Sequence, residues 1–171
     1  MSTLLALDIG GTKVGWGIIE AGDSYEVTER GSIPTDARRG GADVAGRICE
    51  LAASLVASHP QVSGVAVASA GVVDPATGDI VSATGTMPGW GGTHLGALLQ
   101  AATGLPVRVL NDVHAHGLGE ATLGAVRCAT GIPYFVRCSK AAHKAARFRY
   151  GVSSAATFYP RPEYRRKTRG R

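Results

Sequence analysis

One short turn near the start of the sequence carries residue types that could hold a phosphate group. The turn "DIGGTK" contains Asp8, Gly10, Gly11, Thr12 and Lys13. Glycines permit positive φ and let backbone amides approach a bulky ligand, while a hydroxyl and an ammonium group attract phosphate oxygens. A carboxylate at a strand end can hold Mg²⁺ or its water shell. The pattern is typical of a phosphate cradle, and a glycine-stabilised hairpin explains it equally well. The spacing excludes a Walker A loop.

A second polar group lies at the junction of a predicted strand and a predicted helix. The stretch "VLNDVHAHGLGE" places Asn111 and Asp112 at that junction, and open α/β sheets bind ligands at the carboxyl ends of their strands. Asp112 could take a proton from a hydroxyl that attacks a phosphoryl group, and Asn111 could hydrogen-bond a neighbouring hydroxyl. Helix capping, worth about 1 kcal/mol, also favours such residues, although a cap needs only one of them.

The hydrophobic pattern predicts the α/β elements that must position these groups. Predicted strands cover residues 4–7, 14–19, 25–33, 64–71 and 106–111, and predicted helices cover 41–58, 95–102 and 112–123. Short connections make the first three strands antiparallel, and the helical crossovers make the later strands parallel. We therefore expect a mixed five-stranded sheet with flanking helices.

The segment between these two polar groups is rich in glycine. It reads "SAGVVDPATGDIVSATGTMPGWGGTHL", and we expect it to form a long polar loop over the same edge of the sheet. Loops of that length in a compact domain are usually functional or disordered. We expect Trp90 to be the apolar anchor of this loop, rather than a ligand-binding residue.

Together these stretches resemble the ROK family of sugar kinases and sugar-responsive repressors. The resemblance is carried by "LALDIGGTKVGWGII", "VASAGVVDPATGDIV", "TMPGWGGTHL" and "LPVRVLNDVHAHGLGEATLGA", in the family's order from about residue 4 to residue 125. It implies the ribonuclease H-like half-domain of the actin and hexokinase ATPases. Because no helix-turn-helix segment precedes Leu4, the resemblance points to the kinase branch, of the glucokinase or N-acylhexosamine kinase type.

The resemblance also implies a reaction and the residues that carry it. The reaction is phosphoryl transfer from ATP, with Mg²⁺, to a hydroxyl of a hexose or N-acylhexosamine, and Asp112 is its base. By the same resemblance the ATP phosphates face Asp8, Gly10, Gly11, Thr12 and Lys13, and the sugar faces Gly71, Asn111 and Asp112. The family forms homodimers, which we do not expect of this chain.

The family pattern stops near residue 125, where the charge of the chain also changes. Six basic residues stand against twelve acidic ones up to Ala125, and twelve basic residues against one acidic residue from Val126 onward. The family's second phosphate motif and its sugar-binding histidine and glutamates are absent from the second part. We interpret 1–125 as the kinase domain and 126–171 as a basic, aromatic-rich tail, disordered or produced by a frameshift. A truncated cleft of this kind should be inactive.

Two other functions stay open. A sugar-sensing module without catalysis stays an alternative, as does nucleic-acid binding by the tail, for which we expect only nonspecific, salt-sensitive affinity. We do not expect His114, His116 and Glu120 to form a metal site. Only His116 and Glu120 share a face of the predicted helix. Three scattered cysteines and the absence of a signal peptide indicate a cytoplasmic protein. The longest apolar run is far below the roughly 20 residues that a membrane span needs.

Overall fold

The computed structural model describes residues 2–22 and 24–122. The predicted tail at 126–171 lies outside the described residues. Residues 2–116 fall within one compact unit.

The chain begins as three antiparallel strands followed by a helix. The strands are β1 (Ser2–Ile9), β2 (Lys13–Ala21) and β3 (Tyr25–Pro34), a short 3₁₀ helix spans Ala37–Arg39, and α1 spans Gly41–Ser58. The remaining elements are β4 (Val62–Ser69), β5 (Val72–Asp74), β6 (Asp79–Ser82), α2 (Leu95–Thr103), β7 (Val107–Asn111) and α3 (Asp112–Thr122). The bounds predicted for α1 are confirmed, and the strands begin or end within three residues of their predicted limits.

Five strands form one mixed sheet in the order β3-β2-β1-β4-β7. The strand β1 pairs antiparallel with β2 and parallel with β4, which in turn pairs parallel with β7. The predicted mixed sheet is thus confirmed. The turn "DIGGTK" follows the central strand β1, and Asn111 ends the edge strand β7, with β4 between these two strands.

One face of the sheet packs against helices and forms the core. In β1 the side chains of Leu5, Leu7 and Ile9 are buried on that face, because alternate residues of a strand point to the same side. The helix α1 buries Val44 and Ile48 against them, at the spacing of one helical turn. Burial of such side chains stabilises the fold by about 1.5–3 kcal/mol each.

The opposite face of the sheet is lined by small residues. Ala6, Gly15, Ala66 and Ala68 line a groove of about 800 Å³ on this face, together with Leu110. Asp8 and Lys13 also line this groove. The small side chains leave the sheet surface low, and the charged side chains of Arg30 and Arg108 also line the groove.

The segment predicted as a long loop contains a second, two-stranded sheet, so that prediction was wrong in part. The strands β5 and β6 pair antiparallel through a turn in which Asp74 Oδ1 accepts the amide of Ala76 at 3.0 Å. Each strand is too short for alternation to be visible in the sequence. Trp90 is 0% exposed, which confirms its role as the apolar anchor.

Among the residues that the structure describes, no helix has both the length and the hydrophobicity needed to cross a bilayer.

Candidate active site

The ends of three parallel strands lie in one row. Ile9 of β1 is in register with Ser69 of β4, and Ser69 is in register with Asn111 of β7. Neighbouring strands lie about 4.8 Å apart, so the outer members of this row are separated by about 10 Å. Gly10 follows the first strand and Asp112 the third. The structure therefore brings the two candidate groups to one edge of the sheet.

The turn "DIGGTK" is the hairpin between β1 and β2. Its Gly10 amide donates to the carbonyl oxygen of Lys13 at 3.0 Å, and Gly11, Thr12 and Lys13 are exposed. A Cβ added at Gly11 would meet no other atom within 4 Å. Within the described part of the chain, the amides of Gly11 and Thr12 donate to no protein acceptor, so both can donate to a bound anion.

Gly10 and Gly11 do not use the positive φ that glycine permits. Gly10 and Gly11 are absent from the described residues with left-handed φ, which include Gly71 at +100°. The hairpin closes through the bond from Gly10 to Lys13 without that conformation. At Gly10 a Cβ would lie 3.3 Å from the Lys13 carbonyl oxygen, so the small size of glycine, and not its left-handed freedom, suits this position.

The side-chain amide of Asn111, at the start of α3, makes all of its hydrogen bonds within the protein. Its Oδ1 accepts the amides of Val113 at 3.1 Å and His114 at 3.3 Å, which caps the helix. Its Nδ2 donates to the carbonyl oxygen of Gly71 at 2.7 Å and to Oδ1 of Asp112 at 2.9 Å. An amide group has two donor hydrogens and two acceptor positions. All four are occupied by protein groups.

Asp112 has one constrained and one available carboxylate oxygen. Its Oδ1 accepts the Nδ2 of Asn111 and, at 2.8 Å, its neighbour's amide at Val113. Within the described residues no hydrogen bond reaches Oδ2. The side chain is thus held by one oxygen, while the other can accept a proton or a hydrogen bond from a ligand.

The backbone conformation at position 71, beside these residues, requires glycine. Its φ is +100°, and a Cβ there would lie 2.7 Å from the Ser82 carbonyl oxygen. The preceding carbonyl, at Ala70, accepts the indole Nε1–H of Trp90 at 3.2 Å. The segment after β4 is therefore fixed by two donors, one from the loop and one from β7.

Sequence reasoning missed Thr35, which contacts the turn "DIGGTK" directly. Its Oγ1 donates to the Gly10 carbonyl oxygen at 2.7 Å, and its amide donates to the Thr12 carbonyl oxygen at 3.0 Å. Thr35 is 0% exposed. The only signal in the sequence is a threonine that follows Pro34 at the end of a strand.

Asp8 is the carboxylate beside the turn that could hold a divalent cation. No group of three or more His, Cys, Asp or Glu side chains lies close enough to hold a metal within the described residues, among which the side chain of Glu120 is not included. Mg²⁺ usually keeps several waters and binds through one or two carboxylates and substrate phosphates. The exposed carboxylate of Asp8 fits that mode of binding.

Comparison with known proteins points in the same direction. The model of the ROK family matches residues 4–134. Beta-glucoside kinase of Klebsiella pneumoniae is 30% identical over 158 residues, which cover 86% of this chain and 50% of that protein. The resemblance seen in the sequence is confirmed.

Solved structures agree with the fold. The inorganic polyphosphate/ATP-glucomannokinase of Arthrobacter sp. strain KM is 33% identical, with a TM-score of 0.65 over 77% of this chain and 52% of that one. The ROK family glucokinase of Streptomyces griseus, in complex with glucose and AMPPNP, is 27% identical, with a TM-score of 0.62 over 72% of this chain and 38% of that one. The chain spans about half the length of these relatives, or less.

Proposed function

Because this chain belongs to the ROK family, we propose that it takes part in the ATP-dependent phosphorylation of a sugar, with a hexose or N-acylhexosamine as acceptor. The observation that carries this proposal is the row of strand ends formed by Ile9, Ser69 and Asn111. The outer strand ends of this row are about 10 Å apart. A nucleotide phosphate bound at Gly11 and a sugar hydroxyl bound at Asp112 could therefore meet between them.

The turn "DIGGTK" would bind the nucleotide phosphates. The exposed amides of Gly11 and Thr12 and the ammonium group of Lys13 supply donors, and preorganised backbone donors stabilise phosphate charge without reorganisation. Asp8 would hold Mg²⁺ through its water shell, which neutralises phosphate charge. The AMPPNP in the complex of the Streptomyces griseus glucokinase supports a nucleotide as one of the two ligands.

The carboxylate of Asp112 would accept the proton of the attacking sugar hydroxyl. The hydroxyl oxygen forms a bond to the γ-phosphorus as the bond between that phosphorus and the ADP oxygen breaks, and the proton passes to Oδ2 of Asp112. The donors on Oδ1 orient the carboxylate for this step. Such a base contributes 10²–10⁴-fold to the rate.

The family resemblance implied that Asn111 and Gly71 face the sugar. Because the amide of Asn111 is fully hydrogen-bonded within the protein, we assign it instead to the orientation of Asp112. The carbonyl oxygen of Gly71 receives that amide and would define the wall of the sugar site. A sugar hydroxyl could reach Asn111 only by replacing one of these bonds.

We also propose that this chain by itself turns over slowly. Orientation of both substrates supplies ~7–11 kcal/mol of a barrier, whereas the base supplies the smaller part. The described residues offer one wall around the two ligands, and the matched relatives are about twice as long. A coupled ADP assay over glucose, a β-glucoside and an N-acylhexosamine should show less than about 1 turnover per second, the low end for enzymes. A faster rate would refute this part of the proposal.

Binding measurements test the proposed site without depending on turnover. We expect Lys13→Met to weaken binding of AMPPNP with Mg²⁺ by about tenfold and to leave sugar binding unchanged, because it removes one charged donor. We expect Asp112→Asn to weaken sugar binding by about tenfold and to leave nucleotide binding unchanged. Arg38→Met, which removes an exposed cation from the 3₁₀ helix, is the control. A parent chain that binds neither ligand contradicts the proposal.

A further inference from the structure

Thr35 connects both ends of the segment that would bind phosphate. Its hydroxyl donates to the Gly10 carbonyl oxygen at 2.7 Å, and its amide donates to the Thr12 carbonyl oxygen at 3.0 Å. With Ser69 it is one of two buried polar residues within the described part of the chain. The hydroxyl is therefore satisfied by one specific backbone carbonyl in the turn.

The backbone of Thr35 is itself held by α1. Arg47 donates from Nη2 to the Thr35 carbonyl oxygen and from Nη1 to the Pro34 carbonyl oxygen, the latter at 3.0 Å. The Nε of Arg47 donates to Oδ2 of Asp43 at 2.9 Å, while Arg39 pairs with Oδ1 of Asp43 at 2.9 Å.

The charge on Asp43 keeps this arrangement in place at neutral pH. The hydrogen bond from Arg47 and the nearby charges of Arg39 and Arg47 lower the pKa of the Asp43 carboxyl. The guanidinium group of Arg47 is thus fixed on one side by a carboxylate and on the other by two carbonyls. A rigid helix thereby orients the residue that contacts the turn.

We propose that Thr35 is a positioning residue for nucleotide phosphate, which holds the Gly10–Thr12 segment in its binding conformation, and that Arg47 braces Thr35 for this purpose. The inference rests on the proposed function, since it assumes that the turn receives phosphate. Thr35 itself contacts no ligand in this account and acts through the backbone of the turn.

Removal of the Thr35 hydroxyl should make the Gly10–Thr12 segment less preorganised for binding. Two adjacent glycines give a segment more backbone freedom than residues with side chains would, and a ligand that must order such a segment binds more weakly. We expect Thr35→Val to weaken AMPPNP·Mg²⁺ binding by about tenfold, the scale of one lost hydrogen bond. Sugar binding, which involves other residues, should stay within the error of the parent chain.

The test compares three threonine variants in the full chain. Thr35→Val removes the donor at nearly constant shape, and Thr35→Ser restores it. Thr103→Val is the matched control, because its hydroxyl also donates to a backbone carbonyl, of Leu99, at 2.7 Å. Amide hydrogen exchange of Gly10 in the free chain, and the affinities for AMPPNP·Mg²⁺ and for glucose, are measured for each.

The expected result has three parts. Thr35→Val should raise the exchange rate of the Gly10 amide and weaken nucleotide affinity, Thr35→Ser should recover both, and Thr103→Val should change neither. If Thr35→Val fails to fold, Arg47→Gln replaces it and should give the same pair of effects, because it frees the Thr35 backbone.

Two results would overturn the inference, and they are distinguishable. Nucleotide affinity of Thr35→Val equal to that of a binding-competent parent would overturn the role of Thr35 while the proposed function stands. A parent chain that binds glucose but no AMPPNP·Mg²⁺ would overturn the phosphate role of the turn itself, and the inference would fall with it.

Discussion

The side-chain amide of Asn111 donates a hydrogen bond to the Gly71 carbonyl oxygen at 2.7 Å, and this bond ties the end of β7 to the segment that follows β4. The second hydrogen of the same amide goes to Oδ1 of Asp112 at 2.9 Å. One side chain thus fixes the candidate base relative to the neighbouring strand. The arrangement explains why asparagine and aspartate stand together here, when one residue would suffice as a helix cap.

Two replacements of Asn111 should lower the free energy of unfolding by different amounts. Asn111→Ser keeps a capping oxygen but cannot bridge to Gly71, and we expect a loss of about 1 kcal/mol in the free energy of unfolding. Asn111→Ala also loses the cap, so we expect a loss of about 2 kcal/mol. Urea denaturation followed by circular dichroism measures both. An alanine variant within about 0.5 kcal/mol of the parent, the range of ordinary surface changes, would contradict this role.

The indole of Trp90 should contribute by its hydrogen bond as well as by its volume. Trp90→Phe keeps most of the buried surface but leaves the Ala70 carbonyl oxygen without the donor it has at 3.2 Å. We expect a loss of about 1–2 kcal/mol in the free energy of unfolding. Trp16→Phe, at a partly buried position of β2, serves as the comparison. Equal losses in the two variants, measured by denaturant titration, would show that the Trp90 donor contributes nothing.

Two glycines of α1 should respond to alanine in opposite ways. At Gly41 a Cβ would clash with the Gly89 carbonyl oxygen, whereas at Gly46 it would meet nothing within 4 Å. We expect Gly41→Ala to destabilise the fold by about 1–3 kcal/mol, because backbone would have to move. Gly46→Ala should stabilise it by up to about 1 kcal/mol, since alanine favours helix. Thermal denaturation of the pair checks the sign, and two changes of the same sign would contradict the close contact of α1 with the loop before Trp90.

The ion pair between His59 and Glu29 should make stability depend on pH. The Leu55 carbonyl oxygen, and then the Glu29 carboxylate at 2.9 Å, raise the pKa of His59. A raised folded-state pKa stabilises the fold fully below the unfolded value of about 6.5, and this stabilisation is lost as the pH rises through the folded-state value.

The corresponding experiment uses the variant His59→Gln. The parent should exceed the variant in free energy of unfolding by more at about pH 5.5 than at about pH 8.5, where the histidine is neutral. Urea titrations at the two pH values give the difference. A difference that is the same at both pH values would mean that folding leaves the pKa of His59 unchanged.

The regular elements were predictable because each carries a long periodic pattern. The helix α1 repeats Val44, Ile48, Leu51 and Leu55 at helical spacing, and its predicted bounds agree with Gly41–Ser58. The hairpin formed by β5 and β6 escaped prediction since its strands have three and four residues, too few for alternation to be distinguished from loop sequence. Its turn residues were visible, but its pairing was not.

The candidate site was predictable as a set of residues but not as a network. The positions of the turn "DIGGTK" and of Asp112 follow from strand order, which the sequence indicates. The saturation of Asn111 depends on Gly71, forty residues earlier, and the support from Thr35 depends on Gly10, twenty-five residues earlier. Such contacts are set by tertiary packing. No local sequence pattern predicts which threonine will have a buried hydroxyl.

The most direct test of the central claim, that the turn "DIGGTK" and Asp112 face one ligand site, uses AMPPNP with Mn²⁺ in place of Mg²⁺. The paramagnetic ion broadens the amide resonances of nearby residues in a ¹⁵N-labelled chain. We expect the strongest broadening at Gly11 and Thr12, clear broadening at Asp112, and much weaker broadening at Thr3 and Val107, which lie near the opposite ends of β1 and β7. Broadening centred on Thr3 or Val107, with Gly11 and Asp112 unaffected, would contradict the central claim.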